Sequence, residues 1–227
     1  MKGEKMKTIL LTGANGGLGN AIAKRLLQEN HRVILIYHQN IENIQELTKE
    51  YPNQTYSFKV DITNEEEVKK LKEECVNRNL QIDVLINNAG IDHVSEIDEK
   101  NAQTMLDVFK VNTLGPFLLA KEFGKEIDAC RGAIINISSD NTIDANDYVT
   151  LEYDISKSGL NMLTKDLALY FKNARVNAIA FAWLDTKQNP IPEDIKSMIP
   201  FIPMEKAVKK VIEMMSSDKT GQIEVMK

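Results

Sequence analysis

The apolar positions change period along the chain. Thr8 to Leu11 is a short apolar run and Arg32 to Tyr37 a longer one, each the length of a strand buried on both faces. Between them Leu18, Ile22 and Leu26 recur every four residues, the spacing of one helix face. The alternation repeats. Ile41–Tyr51 reads as a short helix stopped before Pro52, Thr55–Val60 as a strand, and Asn64–Val76 as a charged helix with Val68, Leu71 and Cys75 inward. Ile82–Ile86 is a strand, Ala102–Ile127 a long helix, Ala133–Ile137 a strand, Tyr153–Phe171 a helix and Val176–Phe181 a strand. A helix over Glu205–Met215 and a strand over Gln222–Val225 follow. Strands alternating with helices predict an α/β fold, one doubly wound parallel sheet with helices on both faces and right-handed crossovers. Asp185–Met204 breaks the rhythm: it holds four of the chain's six prolines and reads as a short surface lid over the ligand end.

Composition narrows the class. A chain of 227 residues with 43% hydrophobic content fits one domain, residues 1–227, with a sizeable core. The net charge of −5 has its signs interspersed, which predicts no nucleic-acid partner. Lys2, Lys5 and Lys7 lead into only four apolar residues, too few for a signal-peptide core or a membrane span, so the expected location is the cytoplasm. Cys75 and Cys130 read as free thiols, and His31, His38 and His93 are too scattered to predict a metal site.

In doubly wound sheets ligands lie off the carboxyl ends of the strands, and the candidate chemistry falls there. Lys7–Gly19 is strand, glycine-rich turn, helix. Such a turn, with Gly13, Asn15, Gly16, Gly17, Leu18 and Gly19, lets the backbone approach a pyrophosphate and aims the helix N-terminus at it; a plain tight turn is the alternative. Sites that select NAD place an acid after the second strand. Here Tyr37-His38-Gln39-Asn40 stands there and no carboxylate precedes Glu42, which favours NADP(H) while still allowing NAD(H). His38 is either a donor to a 2′-phosphate or a solvated loop residue.

Tyr153 and Lys157 lie on one face of a helix at i,i+4. An ammonium about 4 Å away at an effective dielectric of about 20 is worth roughly 4 kcal/mol, up to about 3 pKa units, enough to bring a phenol toward neutrality. The phenol then serves as proton donor to a carbonyl or as base toward an alcohol. The pair alone is nearly expected by chance; its value lies in following Ser139, at the end of a buried strand, by fourteen residues. Ser139 is placed to hydrogen-bond the reacting oxygen, or is a strand-end turn. Asn112 sits inside the long helix four residues before Pro116, which has no N–H for its carbonyl, so a kink is expected there.

Together Thr12-Gly13-x-x-x-Gly17-x-Gly19, Asn87-Asn88-Ala89-Gly90, Asn112, Ser139 and Tyr153-x-x-x-Lys157 resemble, in order and spacing, the classical short-chain dehydrogenases/reductases, with a Rossmann-like fold. Among these the chain is most similar to the 3-oxoacyl-(acyl-carrier-protein) reductases. The resemblance implies that Lys157 holds the nicotinamide ribose and that Asn88, Ala89, Gly90 and Val111 line the cofactor. It also implies that Asp61 and Ile62 meet the adenine, that Thr186 meets the carboxamide, and that the main chain of Asn112 holds a water relaying protons to the lysine. The implied activity is NADP(H)-dependent reduction of a small-molecule or acyl-carrier-bound carbonyl; the alternative is a weakly active or inactive dinucleotide-binding regulatory protein.

The pattern is broken in places. Phe181-Ala182 replaces the family's Pro-Gly and predicts a bulky side chain at the hydride-transfer site. The short segment after Gln222 puts the family's tetramer in question, leaving a homodimer through the two long helices, with the homotetramer as alternative. Asp140, Asp144, Asp147 and Glu152 either surround the substrate pocket or are solvated loop acids, and Lys125, Arg131, Lys172 and Arg175 are candidates for docking an acidic carrier.

Overall fold

Seven parallel strands form one sheet in the order β3-β2-β1-β4-β5-β6-β7. The computed structural model describes residues 6–144, 148–184, 186 and 201–227. The strands are β1 (Thr8–Thr12), β2 (Arg32–Tyr37), β3 (Thr55–Lys59), β4 (Val84–Asn87), β5 (Ala133–Ser139), β6 (Arg175–Phe181) and β7 (Ile223–Met226). The helices are α1 (Gly17–Gln28), α2 (Glu42–Glu50), α3 (Glu65–Asn77), α4 (Ala102–Phe109), α5 (Gly115–Ala129), α6 (Leu151–Tyr170) and α7 (Met204–Ser216). This is the Rossmann-like sheet that the periodicity predicts. Strand order reverses between β1 and β4, and a topological switch point of this kind opens a crevice at the carboxyl ends.

Alternating side chains of each strand go to opposite faces, so the molecule has two cores. Ile9 and Leu11 of β1 pack with Ile22 and Leu26 of α1 and Val211 and Met215 of α7. Leu10, between them, joins Val68 and Leu71 of α3 and Leu119, Phe123 and Ile127 of α5 on the other face. Burial of each such Leu or Ile contributes about 1.5–3 kcal/mol before entropy is counted.

The predicted helix Ala102–Ile127 is not continuous. Lys110–Leu114 forms a π-helical turn between α4 and α5, and Asn112 lies within it. Pro116, second in α5, lacks the N–H that an α-helix would need there, so the chain changes its hydrogen-bond pattern at the expected place. Phe181 corrects another expectation: rather than turning away, it remains in β6, paired with Met226, and its side chain, 4% exposed, is buried in the α1–α7 core. Most of the predicted lid, including Asp185, Pro190, Pro192 and Pro200, lies outside the described residues, as does Asp147. Among the described residues no helix is long and apolar enough to cross a membrane.

Candidate active site

The turn after β1 is shaped by two glycines. Gly13 has φ +62, the left-handed region that a side chain strains, and a Cβ on Gly19 would stand 2.2 Å from the Gly13 carbonyl oxygen. The backbone can come this close only with hydrogen there. Gly16 donates its N–H to the Gly13 carbonyl at 3.0 Å and leads into α1, which has no side-chain cap, whereas Asn64 caps α3 and Asn101 caps α4. A helix start whose N-cap is a glycine, with no side chain of its own in the way, suits an anion. Asn88 holds this turn from β4: its Nδ2 donates to the Thr12 and Gly13 carbonyls at 3.0 and 3.2 Å. The N–H groups of Asn88 and Ala89 both donate to Thr12 Oγ1 at 3.0 Å. Asn15 accepts at its carbonyl from Asn43 Nδ2 of α2 at 2.7 Å. Leu18 points into the core and Gly17 begins α1.

The adenosine side is more open. Tyr37 ends β2 half-buried, and His38 is exposed beyond it. The Asp61 carboxylate accepts from the Thr63 N–H at 2.9 Å and hydroxyl at 2.7 Å, so it closes the turn after β3. Ile62 is buried, its side chain packed where a Cβ on Gly115 would stand 2.8 Å away.

Four candidate residues converge from the π turn, β5 and α6. Ser139 closes β5, its Oγ accepting from the Asn141 N–H at 3.3 Å, and acts on the Tyr153 hydroxyl, which is third in α6. One turn on, Lys157 is buried, with its Nζ donating to the Ile137 carbonyl at 2.7 Å and lying 5.5 Å from the Tyr153 ring centre. Asn112 is fully buried and works through its side chain: Oδ1 accepts from the Ile91 N–H at 2.9 Å, while Nδ2 donates to the Ile91 carbonyl at 2.8 Å and to Ser156 Oγ at 2.9 Å. Val111, next to it, is half-buried, and Gly90 sits where a Cβ would meet Asn112 Oδ1 and Lys157 Nζ at 3.3 Å.

The electrostatics overturn one expectation. Burial pushes the Tyr153 phenol up to about 12, against the lowering influence of Ser139, and Asp92, Asp154 and Asp140 push it up further. Burial lowers Lys157 to about 8. The lysine therefore does not bring the phenol toward neutrality here: desolvation acts on both groups, and the ammonium is hydrogen-bonded to a carbonyl.

Other residues fall away from the site. Arg131 precedes β5, Arg175 begins β6, and Lys125 and Lys172 lie near the ends of α5 and α6, all at the amino edge of the sheet. Arg175 bonds the Ser217 and Gly132 carbonyls there. Glu152 is not a solvated loop acid: it is 1% exposed and paired with Lys100, a residue the sequence gave no reason to select. Ser156 was equally silent, since a helical serine carries no periodic signal. Thr186 is half-buried, and among the described residues no three His, Cys, Asp or Glu side chains cluster as a metal would need.

A parallel sheet with a glycine turn at its switch point and a Ser–Tyr–Lys group beside it defines a Rossmann-like oxidoreductase architecture. The profile described as short chain dehydrogenase matches residues 7–194, and the chain belongs to that family of NAD(P)(H)-binding oxidoreductases acting between alcohols and carbonyls. It is 31% identical over 191 residues to glucose 1-dehydrogenase 2 of Bacillus subtilis (strain 168), covering 81% of this chain and 74% of that one. It is 32% identical over 195 residues to 3beta-hydroxysteroid dehydrogenase 1 of Eggerthella lenta, covering 82% and 73%. The fold superposes on a dehydrogenase/reductase from Sinorhizobium meliloti 1021 with a TM-score of 0.87 at 25% identity, covering 97% of this chain and 93% of that one.

Proposed function

We propose that this chain reduces a carbonyl to an alcohol with NADP(H), Tyr153 being the proton donor. The observation that carries the reading is Tyr153 one helical turn before buried Lys157, with Ser139 acting on its hydroxyl, at the same sheet edge as the glycine turn. A turn that a Cβ would fill, running into a helix without a side-chain cap, fits a pyrophosphate. Gly13 to Gly19 would hold the phosphates; Asn88, Ala89, Gly90 and Val111 would line the cofactor; Lys157 would hold the nicotinamide ribose, with Thr186 toward the carboxamide. Tyr37, His38, Asp61 and Ile62 would take the adenosine end. When bound, the nicotinamide supplies the hydride.

The chain's own part is proton transfer and orientation. With its phenol at about 12, Tyr153 keeps its proton across the physiological range and can give it to the oxygen of a reduced carbonyl. Ser139 would hydrogen-bond the reacting oxygen beside the phenol and hold it in line. Asn112 fixes Ile91 to α6 through Ser156, so that the site wall and the tyrosine move together. The NADP(H) preference is supported by the absence of an acid among residues 37–40.

A small neutral ketone suits the site better than an acyl carrier. Asp92, Asp140 and Asp154 all act on the Tyr153 hydroxyl, while the candidate docking cations are at the opposite edge. Ile155, Met162 and Leu169 of α6 are 50%, 57% and 86% exposed at seven-residue spacing, one face of the helix. This supports a homodimer through α4, α5 and α6.

The test is NADPH and NADH titration by fluorescence, then NADPH oxidation with neutral ketones and an acetoacetyl thioester, comparing wild type with Tyr153→Phe. Expected are tighter NADPH than NADH binding and turnover about 100- to 10,000-fold lower in the variant. Binding without turnover on the whole panel would favour the regulatory alternative, and turnover unchanged by Tyr153→Phe would remove the tyrosine from the mechanism.

A further inference from the structure

Glu152, immediately before Tyr153, has a side chain with no exposed surface, and its Oε2 is 2.5 Å from Lys100 Nζ. Lys100 lies near the end of the segment that leaves β4, and its side chain is 9% exposed. Its ammonium also donates to the Val149 carbonyl at 2.9 Å, and the Ser95 N–H donates to the same carbonyl at 3.2 Å. His93 approaches Glu152 Oε1 at 3.9 Å and Ser95 Oγ at 3.3 Å. Burial by itself would push Glu152 up, but the hydrogen bond and charge of Lys100, with smaller help from the main chain and His93, hold it below the ordinary glutamate value. The two side chains form a buried ion pair.

Buried ion pairs are poor stabilisers, since an apolar pair of similar volume often does as well. The position of this one suggests another use. Segment 91–100 is fastened to α6 at both ends: Asn112 joins Ile91 to Ser156 at one end, and Lys100 meets Glu152 at the other. Between these fastenings lies Asp92, whose charge acts on the Tyr153 hydroxyl, and Val94 and Ile97, which are 64% and 59% exposed. The first turn of α6, which carries Tyr153, thus shares an anchor with a wall of the site.

Resting on the reductase reading above, we propose that Lys100 and Glu152 are positioning residues for the reaction. They hold segment 91–100 against the first turn of α6 and so keep the Tyr153 hydroxyl at Ser139. Neither residue touches the reacting atoms.

The test compares wild type, Lys100→Met, Lys100→Arg and the double variant Lys100→Met/Glu152→Gln, each titrated with NADPH and assayed for ketone reduction. Displacing a catalytic group by about 1 Å can cost on the order of 100-fold, so kcat should fall by that order in Lys100→Met with NADPH affinity kept within about twofold. Lys100→Arg should recover most of the loss. The double variant removes both charges and so avoids a lone buried carboxylate; if the pair positions, it folds yet keeps the low kcat. A double variant with wild-type kcat, or Lys100→Met with unchanged kcat, overturns the proposal. Should wild type reduce no ketone, the reductase reading fails by itself. Amide exchange at Ser95 then decides the anchor: faster exchange in Lys100→Met upholds it, and unchanged exchange overturns it.

Discussion

At the carboxyl ends of β1 to β3 the proposed nucleotide half of the site centres on a main-chain turn, while at the ends of β4 to β6 the proposed catalytic half is made of side chains. The first depends on hydrogen atoms where a Cβ would not fit, as at Gly19, and on a helix start without a cap. Its glycine turn, Gly13 to Gly19, is contiguous in the sequence. The second gathers Asn112, Ser139, Tyr153 and Lys157 from three segments and buries Asn112 and Lys157 almost completely. A main-chain cradle is insensitive to most side-chain changes and intolerant of added volume. A buried polar group has the reverse property: it carries a desolvation cost that removing a side chain can relieve.

Lys157→Met should display that contrast most strongly. Burial depresses the lysine from 10.5 to about 8, so below pH 8 the folded state carries the full penalty of a buried ammonium. Two and a half units correspond to about 3 kcal/mol. Because the unfolded chain binds the extra proton between these values, this contribution to wild-type stability rises with pH from 8 to 10.5. Thermal unfolding should therefore find Lys157→Met more stable at pH 7, by up to that amount less the lost Ile137 hydrogen bond, and the advantage should vanish as pH passes 10.5. An advantage constant with pH would refute the cause.

Gly19→Ala probes the other half and should have the opposite sign. The added Cβ would press on the Gly13 carbonyl oxygen at 2.2 Å and on Asn88 Nδ2 at 2.7 Å. Overpacking of this kind costs about 1–3 kcal/mol, measurable by denaturant unfolding, and NADPH titration should show weakened binding. Wild-type affinity in this variant would mean that the turn does not hold the cofactor.

The smallest expected effect is at the exposed His38. His38→Ala should weaken NADPH by about 0.2–1 kcal/mol, the range of an exposed charge contact, and leave NADH unchanged. Equal effects on both would return His38 to the solvated loop.

These two halves also differ in how readily they are read. The glycine turn, the strand before it and the helix after it are contiguous, and local sterics dictate them whatever surrounds them. The break at Asn112 was legible too, because Pro116 removes one specific N–H; that the break takes the form of a π turn was not. Phe181 looked like an intrusion into the site, and only the pairing of β6 with β7 shows that it continues a strand and faces the core. Lys100 and Ser156 had no signal, since their partners are set by the packing of α6 against segment 91–100.

By itself, then, the sequence determined the order of strands and helices, the parallel sheet they must form, the glycine turn and the family pattern, because hydrophobic period and backbone sterics act over a few residues. Tertiary structure alone decided that the Tyr153 phenol is pushed up rather than down, that Lys157 is depressed, and that Glu152 is a buried partner of Lys100. Those outcomes depend on how much water each group loses and which distant charge replaces it, and both quantities exist only once the chain has packed.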